Sequence, residues 1–564
     1  MNGSVPPFAV FFAGALLVPL LRGWLRSALL LLIPLLSALQ LWGMEEGVSW
    51  SISILTYTLT LSRVDTLSLL FGYLFHLAAL LAIIFSLHVR DTGQQVVGLL
   101  YAGSALGVVF AGDLITLFVF WELLAITSVF LIWARRTPQA LAAGFRYLII
   151  QVFSGVLLLA GTLLHLSQTG SLAFDYLGLS GPASWLIFLA FGIKCAFPFL
   201  HNWLTDSYPE ATPTGAVFLC AFTTKVAIYS LARAFPGTEM LIYIGAAMTC
   251  FPIFYAVIEN DLRRVLGYSM INQLGFMVCG IGLGSALAIN GAVSHAFNDV
   301  IFKGLLFMSM GAVLHMTGRI KGSDLGGLHK TMPITTVFCI VGACSISAFP
   351  LFSGFVSKSM VMSAALEEGH GWIWLALLFA SAGVFHHAGI KIPFFAFFAQ
   401  DAGIRVKEPP LNMLIAMGLA AGLCIFIGIY PWLLYSWLPA PVEYIPYEAT
   451  HVIAQLQLLF FAALAFCWLK LSGLYPPELH SVNIDAEWVY RRLGLRTVQA
   501  ALTTGTYLRT ELRKRIQQGT VVSRISRNWH PQTVRWLSHT WPAGSMVLWA
   551  VGLLGLILLS YYIR

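Results

Sequence analysis

ASWLIFLAFGIKCAFPFLHNWL, residues 183–204, is apolar over the length of a bilayer crossing, yet it carries Lys194 near its middle and Pro198 four residues on. About 20 apolar residues make a helical span. Proline has no N–H, so the carbonyl of Lys194 loses its ordinary helical partner. A backbone group freed beside a charge at membrane depth is tolerated only where it lines a polar cavity or packs inside protein. A plain proline kink is the bland alternative. With Lys194 at the break and His201 close behind it, the segment reads as part of an ion path.

The rest of the chain sets this segment in context. Of 564 residues, 58% are hydrophobic and 10% are charged, against about 25% charged in ordinary soluble domains. Lipid must therefore be the solvent for most of the surface. About sixteen stretches reach spanning length, near 7–21, 27–43, 66–89, 95–111, 114–133, 145–166, 183–204, 214–233, 240–258, 264–285, 290–316, 332–366, 372–398, 411–435, 452–471 and 543–562. Long Leu, Ala and Phe runs predict an all-α polytopic membrane protein and exclude a barrel. The first span has no charged leader and no ordinary cleavage site, so it is expected to be retained. The eight cysteines fall inside predicted spans without a CxxC pair, which gives zinc and iron–sulfur sites no support. GIGLG at 280–284 lies within a span, so a nucleotide-binding reading fails on context. No cofactor and no metal are expected.

Sorting the basic residues by side gives about 24 on one side, among them Arg22, Arg26, Arg90, Arg135, Arg136, Arg263 and Arg264, against Arg63, Arg233 and Arg564 on the other. That bias puts both termini outside, in the periplasm if the chain is a multi-pass inner-membrane protein of a Gram-negative bacterium. The net charge of +8 then belongs to cytoplasmic loops facing anionic lipid and calls for no nucleic acid.

Five lysines remain inside spans: Lys194, Lys225, Lys303, Lys358 and Lys391, joined by the acids Glu122 and Asp299. A charge at the bilayer centre costs at least about 2.5–3.5 kcal/mol, so each needs a partner or a use. Lys391, in HHAGIKIPFF near the cytoplasmic end of its span, is expected to snorkel to the interface. His295, Asp299 and Lys303 recur every fourth residue in SHAFNDVIFKGLLF and so share one helical stripe. A lone histidine would read as a satisfied core residue; three ionisable groups in register read as a relay. Lys358 follows a Pro350, Gly354 break in AFPLFSGFVSKSM. Two lysine-bearing broken segments, 183–204 and 332–366, predict an inverted-repeat transporter.

GDLITLFVFWELLAITSVFLI, GIKCAFPFLHNWLTDSYPEATPTGAVFLCAFTTKVAIYSLAR, ENDLRRVLGYSMINQLGFM, SHAFNDVIFKGLLFMSMGAV and FSGFVSKSMV, in this order within residues 65–435, resemble the successive signatures of the antiporter-like subunits of Mrp-type cation/proton antiporters, respiratory complex I and membrane-bound hydrogenases. The segment 376–450 inclines the resemblance toward the Mrp D subunit. It implies that Glu122 pairs with Lys194 and that Lys225 is the connecting lysine. It further implies that His295 and Lys303 continue a central axis and that Lys358 feeds the outer half-channel. Many relatives carry a histidine where this chain has Asp299, an acid that could hold Lys303 charged or bind a cation.

The expected organisation is N-terminal spans (1–94), two antiporter repeats (95–234 and 235–400), further spans (401–471), a basic amphipathic segment lying on the cytoplasmic face (472–541) and a last span (542–564). In 472–541, Gly494, Gly505, Gly519 and Pro531 argue against one unbroken rod, and a solvated cytoplasmic tail is the other reading of the segment. The implied function is an ion-translocating, non-enzymatic subunit that works with other membrane subunits. It would move H+, with exchange for Na+ or K+ left open. The alternatives are a proton-pumping subunit of a redox complex and a proton-coupled subunit of an inorganic-carbon uptake complex.

Overall fold

The apolar runs fold as helices because a bilayer offers no partner to a backbone N–H or C=O. A computed structural model describes residues 5–54, 56–479 and 483–518. The chain is a multi-pass membrane protein built almost entirely of helices. Twelve helices among the described residues are long and apolar enough to cross a membrane, and three shorter apolar ones lie at Pro7–Leu20, Pro182–Lys194 and Pro333–Ile346. Each of the first fifteen expected stretches holds one of these helices; the sixteenth, 543–562, lies outside the described residues.

Helices α1 (Pro7–Leu17) and α2 (Gly23–Trp42) precede a β-hairpin of β1 (Gly47–Ile54) and β2 (Tyr57–Val64), which the sequence reading did not anticipate. Then follow α3 (Thr66–Ser86), α4 (Thr92–Phe110), α5 (Leu114–Trp133) and the long α6 (Pro138–Thr169). The stretch 183–204 is α7 (Pro182–Lys194), a break, and α8 (Asn202–Ser207). The next span is also interrupted, as α9 (Gly215–Ala221) and α10 (Thr223–Ala234). Helices α11 (Glu239–Ile258), α12 (Leu262–Leu283) and the long α13 (Ala286–Thr317) lead to a second break between α14 (Pro333–Ile346) and α15 (Ser353–Glu367). Helix α16 (Gly371–Val384) continues into wide π-type turns at Phe385–Lys391 and Phe394–Phe398. Helices α17 (Leu411–Ile429), α18 (Trp432–Tyr435) and α19 (Ala449–Leu471) complete this unit, which runs to Asp485. From Ala486 on the chain forms a second unit. Its described part is a wide turn, Val489–Gly494, and α20 (Leu495–Gln518), which runs through Gly505 without interruption.

Two sets of elements repeat. Asp113 caps α5, and the backbone beside it pairs with Leu172 and Phe174 just past α6. Asp261 caps α12, and its neighbours pair with Ile320 and Gly322 just past α13. Helices α6 and α13 are both 32 residues long, and both end on a left-handed glycine, Gly170 and Gly318. The two breaks match as well. Ala196 and Phe199 have φ of 62° and 67°, and Ala348 and Leu351 have 57° and 73°. Phe197 N–H bonds the carbonyl of Gly192, and Phe349 N–H that of Cys344. Asp113 sits at the hairpin end of the molecule, where its Oδ2 accepts from Thr60 N–H at 2.7 Å. Asp261 sits at the opposite end, so the second set is inverted relative to the first.

Candidate functional site

The shortest contact between site residues joins the two repeats. Lys225, one turn into α10, places Nζ 2.7 Å from Asp299 Oδ2 midway along α13, and neither side chain is exposed. Lys225 Nζ also donates to the carbonyl of Cys220 at 3.1 Å, just before the interruption between α9 and α10. Asp299, expected beside Lys303, is therefore the counter-ion of Lys225. Helical spacing puts Asp299 and Lys303 on one stripe but does not say which neighbouring helix carries the nearer charge.

Lys194 is fully buried at the end of α7 and donates to the carbonyl of Trp121 at 3.0 Å, with its ammonium 4.9 Å from the Trp121 ring centre. Glu122 follows Trp121 but is half-buried and turns to α6, where its Oε1 fills the space that a Cβ on Gly155 would occupy. Oε1 has no hydrogen-bond partner among the described residues. Lys194 thus meets α5 at the residue next to Glu122, through a carbonyl and a ring face.

On α13, Lys303 donates to Ser269 Oγ of α12 at 2.8 Å. His295 is held at both nitrogens, by Ser357 Oγ at 3.0 Å and Gln273 Oε1 at 3.1 Å. Ser357 precedes Lys358, so His295 reaches the second broken span. Lys358 donates to the carbonyl of Ile346, freed at the break, at 3.0 Å, and lies 5.0 Å from the Phe276 ring centre. The structure brings Lys225 and Asp299 into direct contact. It links His295 to Lys358 through Ser357 and sets Lys194, Lys303 and Lys358 on separate neutral acceptors.

Lys391 does not snorkel. It is unexposed and donates to the carbonyls of Ala256, Val257 and Glu259 at 3.3, 2.7 and 2.6 Å, and it pairs with Glu478 Oε1 at 3.0 Å. The last carbonyls of a helix lack intrahelical partners and favour a cation, and the end of α11 supplies three within reach. His201 is 3.1 Å from Asp485 Oδ2, to which Tyr268 also donates at 2.7 Å. Sequence reasoning passed over Ser269, Gln273, Ser357, Glu478 and Asp485. Ser269 and Gln273 stand one turn apart on α12 in YSMINQLGF, a polar face inside an apolar span that could have marked them.

The site thus lies in two inverted sets of elements, each with a helix broken beside a buried lysine. Residues 111–382 match the family described as NADH:quinone oxidoreductase/Mrp antiporter, TM, a likeness that covers a little under half of the chain. It is 32% identical over 422 residues to the A subunit of a Na(+)/H(+) antiporter of Alkalihalophilus pseudofirmus, covering 65% of this chain and 52% of that protein. The A1 subunit of a Na(+)/H(+) antiporter of Staphylococcus aureus is 29% identical over 427 residues, covering 67% and 53%. The chain spans about half the length of the curated relatives it matches. These relatives are A subunits, whereas segment 376–450 had inclined the resemblance toward a D subunit. Among solved structures, a chain of the Mrp complex from a Dietzia species superposes with a TM-score of 0.68 at 20% identity, covering 79% of this chain and 98% of that one. A chain of an archaeal membrane-bound sulfane sulfur reductase gives 0.70 at 23%, covering 80% and 98%. These two likenesses show the fold.

Proposed function

We propose that this chain is the ion-translocating subunit of a multisubunit cation/proton antiporter in a bacterial inner membrane, and that protons move along Lys194, Lys225, Asp299, Lys303 and Lys358. The observation that carries this reading is the fully buried Lys225–Asp299 pair between the repeats, with three more unexposed lysines on the broken spans and on α13. A buried charge is costly, and a fold that needed only packing would have no use for four. In this reading the Lys225–Asp299 contact joins the lysine of the first broken span to those on α13 and the second broken span, and a proton passes along them in turn. Glu122, leaning on Gly155, biases Lys194 from the adjoining residue. The basic end of the molecule faces the cytoplasm.

The names of the relatives suggest that partner subunits complete the assembly, with Na+ as the exchanged cation. The test is reconstitution with those partners in sealed vesicles, reading the pH gradient dissipated when Na+ or K+ is added. Wild-type exchange with Lys225→Ala and Lys358→Ala each inactive would support the reading. Unchanged exchange in both variants would sink it.

A further inference from the structure

Lys358 opens onto more space than its own site requires. It lines a cavity of about 160 Å³ with Ser359, Ser363, His451 and Gln455. A second cavity, of about 550 Å³, starts at Ser363 and His451, which line both. The carboxylates of Glu367, Glu443 and Glu448 stand in its walls. Asn290 fixes one wall by donating to and accepting from the backbone of Ala440, at 2.8 and 3.1 Å.

Helix α19 explains how a histidine comes to stand at the junction. Most of α19 faces outward, with Ile453, Phe460, Phe461, Leu464 and Trp468 exposed. His451 and Gln455 are four residues apart and share a face, the one turned to the broken span. There Gln455 donates to the carbonyl of Ser347 at 3.1 Å. Tyr444 stacks on His451, with ring centres 5.8 Å apart, and its hydroxyl lies 3.3 Å from Nδ1. A helix dissolved in lipid needs neither polar group; a helix that walls a passage does.

Building on the translocation reading above, we propose that the ion path leaves Lys358 through a neck formed by Ser363 and His451 and opens into this acidic vestibule, with His451 as the proton-transfer residue of the neck. In the outward direction a proton leaves the Lys358 ammonium, crosses the cavity that both residues line and reaches the imidazole, and Lys358 is left as the neutral amine. The imidazolium then releases a proton to a vestibule carboxylate or to solvent and returns to neutral. The inward direction reverses both steps. Imidazole suits the post because one ring nitrogen can accept a proton while the other releases one.

The experiment uses the assembled complex in sealed vesicles. His451→Ala should slow proton-coupled exchange by about a hundredfold, and added imidazole should restore part of the rate. It should restore none in Lys358→Ala. Full activity in His451→Ala, or a loss that imidazole does not touch in both His451→Ala and His451→Gln, would overturn the shuttle. Ser363→Cys should react with a membrane-impermeant maleimide from the vestibule side only, above the background of the chain's own cysteines. An unreactive Ser363→Cys would overturn the neck whether or not ions move. Wild-type vesicles that exchange no ions would overturn the translocation reading itself, a failure that the labelling result keeps apart from failure of the neck.

Discussion

A lysine and an aspartate with no exposure at all, 2.7 Å apart, stabilise one another only as long as both are present. Removing one member of such a pair strands a charge and typically costs about 3–5 kcal/mol, whereas replacing both by apolar groups is often close to neutral. Lys225→Met and Asp299→Leu should therefore each lower the thermal midpoint of the detergent-solubilised protein, and the double variant should recover most of the loss. Transport should be lost in all three, because the double variant restores packing without restoring a proton carrier. A double variant that transports ions would show the pair to be structural. Glu122 offers a second test at this scale. A Cβ on Gly155 would fall on Glu122 Oε1, so Gly155→Ala must drive the carboxylate out of its seat. Exchange should fall to the level of Glu122→Gln, and Gly155→Ala should cost nothing further in a Glu122→Ala background, the non-additivity expected of residues that act through one contact. Equal losses on both backgrounds would mean that Gly155 matters for helix packing alone.

At the scale of elements, the two repeats use one frame for different charges. Counted from the capping aspartates Asp113 and Asp261, Gly155 corresponds to Lys303 and Gln151 to Asp299. The place that glycine leaves open for Glu122 on the first long helix is thus the place that carries a lysine on the second. Much of this was legible in the sequence. Pro198 and Pro350 mark the breaks, apolar length marks the spans, and spacing puts His295, Asp299 and Lys303 on one face. The pairing of Lys225 with Asp299 was not legible, because it joins residues far apart in sequence through a packing angle that no local pattern encodes. The hairpin was legible and was missed. Val48, Trp50, Ile52 and Ile54 alternate with small polar residues, as do Tyr57, Leu59 and Leu61, the period of a strand. The breaks also carry strain that can be measured. Phe199 holds φ at 67° with its side chain 81% exposed, and a left-handed L-residue costs about 1–2 kcal/mol. Phe199→Gly should raise the thermal midpoint, since it removes strain and little packing, while the β-branched Phe199→Ile should lower it. A fall in both variants would mean that the ring makes contacts that outweigh the strain.

For the whole molecule, the informative feature is how its basic end is closed. Loops there are knit by Arg135–Glu210, Arg136–Asp91 and Arg146–Asp206 pairs, and buried Arg263 donates to the carbonyls of Tyr208, Ala211 and Thr212. Across this end runs the chain between α19 and Asp485, the first part of the segment expected at the cytoplasmic face, and it contacts the helices of its own unit at several points. Glu478 meets Lys391, Asn260 donates to the carbonyl of Leu479 at 3.2 Å, and Asp485 takes His201 and Tyr268. These contacts tie the first broken span to the span that carries the π-turns. Burial lifts the Glu478 carboxyl above its ordinary range, and Lys391 and Lys470 pull it part of the way back. The docked carboxyl therefore holds its proton more tightly than the free one, so the docked state binds more protons. Its stability is fully present below the free carboxyl's pKa and weakens as pH rises through the docked one. Backbone amides at 475–479 should accordingly lose protection, measured as exchange relative to the intrinsic rate, as pH rises across that window. Glu478→Gln should flatten the dependence. Asp485→Asn should lower protection without altering its slope, because it loosens the far end of the same segment and leaves Glu478 in place. Protection that does not change with pH in the wild-type chain would show that the segment is held by its neutral hydrogen bonds, with Glu478 no more than a counter-ion for Lys391.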